Sequence, residues 1–123
     1  MTNMFFVGVK RSALAIKKGW SWRDGRLAAK QLFDALRALG IDPVKMQYGN
    51  WWSSSVTRQK IRTFASKGGL VVALGKDVDK ALSQEAIPHV TMFHPAARGH
   101  IRRKDNYQAH VKAVLAPHMD RMS

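Results

Sequence analysis

The sequence contains no cysteine among its 123 residues. Disulfide bonds, thiolate metal sites and a cysteine nucleophile are therefore excluded, and the composition suits a reducing compartment. No apolar run approaches the roughly 18 residues that a membrane-spanning helix needs. The opening MTNMFFVGVKRSALAIKK places its charges after the apolar segment, unlike a secretory signal. We therefore expect a cytoplasmic protein with no membrane partner.

Acidic residues are also scarce. Eight Asp and Glu stand against 21 Lys and Arg, which gives a formal net charge of +13. Such an imbalance causes self-repulsion unless a polyanion relieves it. Nucleic acid is the leading candidate partner, and the alternatives are an anionic membrane surface or a basic surface that is merely solvated. The length predicts one domain, residues 1–123, which we expect to be a monomer.

Several catalytic and cofactor motifs are missing. GGLVVALGK lacks the glycine spacing of a P-loop, and there is no G-x-S-x-G elbow. The histidines His89, His94, His110 and His118 show no metal-ligand spacing and have no carboxylate cluster beside them. We predict neither a metal nor another cofactor.

Apolar runs and helical patterns alternate along the chain. Buried strands are predicted in MFFVGV (4–9), VKMQY (44–48), GGLVVALG (68–75) and IPHVTMF (87–93). Helices are predicted from a cap at Asp24 to a stop at Gly40, over 56–67 after a serine cap, over 76–86, and over 105–116 before Pro117. This order predicts an α/β fold, a four-stranded parallel sheet covered by helices on both faces. Ligands of such sheets bind beyond the carboxyl ends of the strands, here after residues 9, 48, 74 and 93.

The loop after the first strand mixes cations with aromatic residues. Lys10 and Arg11 can contact phosphates, and Trp20 and Trp22 can stack unpaired bases. Alternatively, the tryptophans cap the core beside a short amphipathic helix. After the second strand, Asn50 offers a donor and an acceptor on one plane, which matches the edge of an extruded nucleobase. Its alternative is a turn asparagine in a left-handed conformation next to Gly49.

The stretch HPAARGHIRRK follows the fourth strand. His94 titrates near neutral pH and can stabilise charge on a departing base. Cations then accumulate at or near a helix start, which ordinarily disfavours them, so an anion is expected there. These cations are Arg98, Arg102, Arg103 and Lys104. The alternative is a solvated charge run behind a histidine in a structural hydrogen bond.

These segments together resemble the uracil-DNA glycosylase superfamily. The similarity rests on FVGV in the first strand, Asn50 after the second, VVALGKDVDKAL at the third and HVTMFHPAARG at the fourth. It spans most of the chain by element order, and its specific part covers roughly residues 69 to 99. The resemblance implies a three-layer α/β/α fold that binds single- or double-stranded DNA and draws one nucleotide into a pocket.

The resemblance also implies roles for individual residues. His94 would stabilise the anionic uracil, Asn50 would read the base, and the residues after Pro95 would press into the DNA. Three departures separate the chain from the family pattern. Lys10 and Arg11 follow the first strand where the family places a water-positioning acid or asparagine, HPAA replaces an HPS-type motif, and the chain is short.

Three functions remain open from the sequence. The first is a DNA-binding protein that hydrolyses the N-glycosidic bond of uracil or another damaged base. The second is a non-catalytic DNA-binding or interaction protein that keeps the fold. The third is an enzyme acting on free nucleotides or nucleosides, although a small substrate does not require such a large positive charge.

Overall fold

Four parallel strands form one sheet in the computed structural model, which describes residues 4–9, 17, 28–52, 54–93 and 104–119. The strands are β1 (Met4–Gly8), β2 (Gln47–Asn50), β3 (Leu70–Leu74) and β4 (Val90–Met92). Their order across the sheet is β2-β1-β3-β4, and every pairing is parallel. The predicted four-stranded parallel sheet is confirmed.

Helices cover both faces of this sheet. They are α1 (Ala28–Ala38), α2 (Ser55–Ser66), α3 (Lys76–Gln84) and α4 (Lys104–Met119), with a 3-10 turn at Pro43–Lys45. Side chains of a strand alternate between faces, so Met4 and Phe6 pack with α1 and α4, whereas Phe5 and Val7 pack with α2 and α3. The three-layer α/β/α architecture follows from this alternation.

Two predicted helix boundaries are confirmed by their hydrogen bonds. The Ser54 hydroxyl accepts from the backbone N–H of Thr57 at 3.1 Å and caps α2. Gly40 has φ of +79° and ends α1, while the next N–H, of Ile41, donates to the Leu36 carbonyl at 2.9 Å. This pattern closes the last turn of the helix and is available to glycine without strain.

The second strand begins later than predicted. The prediction of a strand over 44–48 is wrong at its start, because Pro43–Lys45 forms a 3-10 turn. The Asp42 side chain accepts from the Val44 N–H at 3.1 Å and holds this turn. The strand then runs to Asn50, so this residue lies in β2 and not in the loop after it.

The last helix continues past its predicted end. α4 includes Pro117, whereas the prediction stopped at residue 116. Proline removes one intrahelical hydrogen bond and crowds the carbonyl four residues earlier. The carbonyl concerned is that of Ala113, so the disturbance falls within the last two turns of the helix.

Candidate nucleic-acid interface

The carboxyl ends of the strands form the edge at which the sequence predicts a ligand. The strand order reverses direction between β1 and β3, since the chain moves from β1 out to β2 and then returns to the other side. In open parallel sheets this switch point opens the crevice that binds ligands. At this point β1 ends at Gly8 and is followed by Val9, and β3 ends at Leu74 and is followed by Gly75.

Asn50 lies at this edge as the last residue of β2. Its Cα partner in the register is Gly8, and only 7% of Asn50 is exposed. Among the described non-glycine residues only Ala86 has a positive φ, so the alternative of a left-handed turn asparagine is wrong. A ligand that reached this carboxamide would have to approach along the ends of β1 and β2.

The two tryptophans after Asn50 have different environments. Their backbone N–H groups continue the pairing with the β1 side, from Trp51 to the Gly8 carbonyl at 2.8 Å and from Trp52 to the Val9 carbonyl at 3.2 Å. Trp51 is buried in the core, with the Arg62 guanidinium 5.7 Å from its ring centroid. Trp52 is 48% exposed. Trp51 therefore packs in the core, whereas Trp52 is available to a partner.

Phe93 directly follows β4 at the same edge, and α4 holds it in place. Its backbone N–H donates to His110 Nε2 at 2.9 Å, and its carbonyl accepts from the Tyr107 hydroxyl at 3.0 Å. Burial raises the pKa of Tyr107 far above its usual range and lowers the pKa of His110. The Phe93 side chain remains 50% exposed. The residue that precedes His94 is thus fixed at both of its backbone polar groups.

A second polar cluster lies where α3 meets the edge strand β4. The Asp79 carboxylate contacts His89 Nε2 at 2.6 Å and accepts from the Thr91 hydroxyl at 2.9 Å. These hydrogen bonds, His89 first, lower the pKa of Asp79. His89 Nδ1 lies 2.7 Å from the Ile87 carbonyl, so both of its ring nitrogens face acceptors. The cluster ties α3 to β4 and has the character of a structural contact.

Asn50 is the last residue of one outermost strand, β2, and Phe93 directly follows the other, β4. Three strand spacings separate β2 from β4, about 14 Å at the usual parallel-sheet spacing. Asn50 and Phe93 therefore lie at opposite sides of the carboxyl edge. A ligand that touched both would have to extend over the ends of β1 and β3.

Most of the predicted site residues lie outside the described residues. This holds for the predicted catalytic residue, for both predicted stacking tryptophans and for nearly all the predicted phosphate contacts, namely His94, Trp20, Trp22, Lys10, Arg11, Arg98, Arg102 and Arg103. Lys104 is the first residue of α4, but its side chain is not among those that the structure describes. Their roles stay predictions.

Within the described ranges, no three His, Asp or Glu side chains are grouped to hold a metal ion, and no helix has the length and apolarity to cross a membrane. No protein-family model matches the chain, and no curated protein matches it significantly.

Proposed function

We propose that this chain binds DNA through the carboxyl edge of its sheet. The observation that carries the proposal is the exposure of Trp52 and Phe93, at 48% and 50%. Trp52 lies two residues after β2 and Phe93 one residue after β4, so each outer strand is followed by one of them at this edge. Exposed aromatic rings stack on unpaired bases, and each such contact contributes about 1 to 3 kcal/mol.

The charge of the adjoining sequence supports the same partner. Residues 10–27 follow Val9 and contain one acidic residue against Lys10, Arg11, Lys17, Lys18, Arg23 and Arg26. Residues 94–103 follow Phe93 and contain no acidic residue against Arg98, Arg102 and Arg103. Both segments are joined to strand ends of the carboxyl edge. Phosphate contacts from Lys and Arg supply most of the affinity of a nucleic-acid-binding protein.

The resemblance to uracil-DNA glycosylases extends the proposal to chemistry. One nucleotide is drawn from the DNA, Asn50 reads its base, and His94 stabilises the base as it departs during hydrolysis of the N-glycosidic bond. The competing proposal is a non-catalytic DNA-binding module, because no acidic residue closely follows β1 in the sequence to position a water. In both versions the protein is an intracellular monomer. An enzyme of free nucleotides fits the charge less well.

Binding and chemistry can be tested with one set of oligonucleotides, single- and double-stranded, each with one uracil. We expect Trp52→Ala and Phe93→Ala each to weaken binding about fivefold or more, as the loss of a stacked base requires. Val44→Ala is the control, since Val44 is 63% exposed but precedes the amino end of β2. Fluorescence anisotropy measures the affinities. No binding by the wild type, or equal losses in all three variants, would contradict the proposal.

Alkali treatment of the same oligonucleotides reveals abasic sites. Strand scission that His94→Ala and Asn50→Ala abolish would establish the glycosylase version. Binding without scission would establish the non-catalytic version.

A further inference from the structure

A groove of about 600 Å³ runs between α2 and the edge strand β2. Gln47 is opposite Phe5 in the β-register and so faces the side of the sheet that α2 covers. The ring of Phe64 from α2 packs against Phe5 at 5.5 Å between centroids. Gln47 and Phe64 therefore line the groove from the strand side and the helix side.

The wall of the groove is a stripe of side chains along α2. Val56, Lys60, Thr63 and Lys67 follow one another at three- and four-residue spacing, which places them on one face of the helix. From residue 56 to residue 67 the stripe is about 16 Å long. Val56 lies at the end of the stripe nearest the start of α2, four residues after Trp52 in sequence. The groove therefore leads from the carboxyl edge toward the amino edge of the sheet.

The charge along this helix has one sign. Residues 54–69 contain Arg58, Lys60, Arg62 and Lys67 and no acidic residue. Two of these cations are engaged, because Arg62 pairs with Glu85 at 2.7 Å and Arg58 donates to the Trp51 carbonyl at 3.2 Å. The remaining two, Lys60 and Lys67, are exposed and line the groove. An anionic ligand complements this surface.

The chemistry of the groove selects among anions. Gln47 offers an amide donor and acceptor, and Gln59 offers an amide donor, since its Oε1 accepts from Arg62 at 3.5 Å. Val56 presents an apolar surface that is 63% exposed. Phosphates would contact the two lysines, while base edges meet the amides. A duplex keeps its Watson–Crick edges paired, whereas a single strand presents them.

We propose that the groove between α2 and β2 binds a short single-stranded segment of the nucleic acid that continues from the carboxyl edge. This inference rests on the proposed DNA binding and adds the direction in which the strand leaves. It assigns phosphate contacts to Lys60 and Lys67, which the sequence alone did not single out.

Paired lysine variants test the contacts. Lys60→Ala/Lys67→Ala should reduce the slope of log affinity against log salt by about 1.4 for a single-stranded oligonucleotide, since each contact contributes about 0.7. The control Lys80→Ala/Lys112→Ala removes the same charge from exposed positions on α3 and α4 and should leave the slope nearly unchanged. Equal slopes for the two double variants, with wild-type binding intact, would contradict nucleic-acid binding in the groove but not the proposed function. Loss of binding in the wild type would overturn both.

Site-specific cross-linking provides an independent measurement. The chain has no cysteine, so one introduced thiol carries one photoreactive label. A label on Thr63→Cys should cross-link to the bound single strand, whereas a label on Ser83→Cys, exposed on α3, should not. Equal yields at the two positions would contradict the proposal. Stronger competition by poly-glutamate than by unlabelled DNA would also contradict it, because the groove would then favour an acidic polypeptide.

Discussion

Histidines show at the residue scale how contacts decide a role. His110 accepts from the Phe93 N–H through Nε2, and its ring centroid lies 4.9 Å from that of Phe93. The imidazole of His110 therefore accepts this hydrogen bond in its neutral form. His89 instead lies between two acceptors, the Ile87 carbonyl and the Asp79 carboxylate. Two residues of one type thus have opposite hydrogen-bonding requirements, set by their neighbours alone.

The neutral state of His110 predicts a pH dependence of stability. Burial lowers the pKa of His110 below its usual 6.5, so the unfolded chain binds a proton before the folded chain does. Stability should therefore fall as the pH drops below 6.5, and this loss should end once the pH passes the lowered pKa. His110→Gln should flatten the dependence in this range.

Urea unfolding followed by tryptophan fluorescence at several pH values between 7 and 5 measures this effect. His118→Gln is a control on the same helix, and it should keep the wild-type slope. A His110→Gln slope equal to that of the wild type would show that the imidazole is not held neutral.

The role of His110 could not be predicted from the sequence. Its partner is 17 positions earlier in the chain, and the Tyr107 contact with Phe93 spans 14. The available signal was the placement of Tyr107, His110 and Val111 on one helical face. That signal indicates a buried stripe but names no partner. Asn50 was predicted in the loop after the second strand and is instead the last residue of that strand, so it still lies at the carboxyl edge.

At the element scale, two glycines are required for different physical reasons. Gly40 has φ of +79°, and a Cβ built there would meet no atom within 4 Å. Gly69 has no such φ, but its Cβ would overlap the Phe64 ring. The first position restricts backbone conformation, and the second restricts volume. Asparagine tolerates a positive φ but is larger than alanine, so it suits the first position and not the second.

Asparagine and alanine should therefore have opposite rankings at these positions. Gly40→Ala should lower the free energy of unfolding by about 1 to 2 kcal/mol, and Gly40→Asn by less, since asparagine tolerates the left-handed region. Gly69→Ala should lower it by about 1 to 3 kcal/mol through overpacking, and Gly69→Asn by more. Chemical denaturation of the four variants measures the order. Asparagine rescue at Gly69 would contradict the steric explanation.

Elements were predictable where their signals are local. The apolar runs located β1, β3 and β4, although β3 and β4 are shorter than predicted. Ser54 and Gly40 marked helix ends, because each of these signals acts within a few residues. The start of β2 was not predictable from its alternating pattern. There the Asp42 side chain holds a 3-10 turn, and the Tyr48 hydroxyl donates to the Pro43 carbonyl at 2.5 Å. These contacts override an alternation that otherwise favours a strand.

At the scale of the whole molecule, the net charge of +13 opposes the compact state. Added salt screens this repulsion, and a bound polyanion neutralises it at specific positions. The two effects are distinguishable, since screening acts on any charged surface and binding depends on ligand concentration. Thermal stability therefore reports on the partner as well as on the fold.

Single-stranded DNA should raise the melting temperature of this protein at low salt. At 100 times the dissociation constant, a ligand that binds only the folded state adds about 2.7 kcal/mol, which corresponds to roughly 10 °C for a domain of this size. Scanning calorimetry at 20 mM and 500 mM salt should show this rise at the lower salt and its near absence at the higher, because phosphate contacts weaken steeply with salt.

Poly-glutamate of equal charge is the control that separates base recognition from electrostatic neutralisation. It neutralises the surface but offers no base to Trp52, Phe93 or the groove along α2, so its effect should be clearly smaller than that of DNA. An equal rise would mean that charge alone accounts for the stabilisation, and the exposed aromatic rings at the carboxyl edge would then need another explanation.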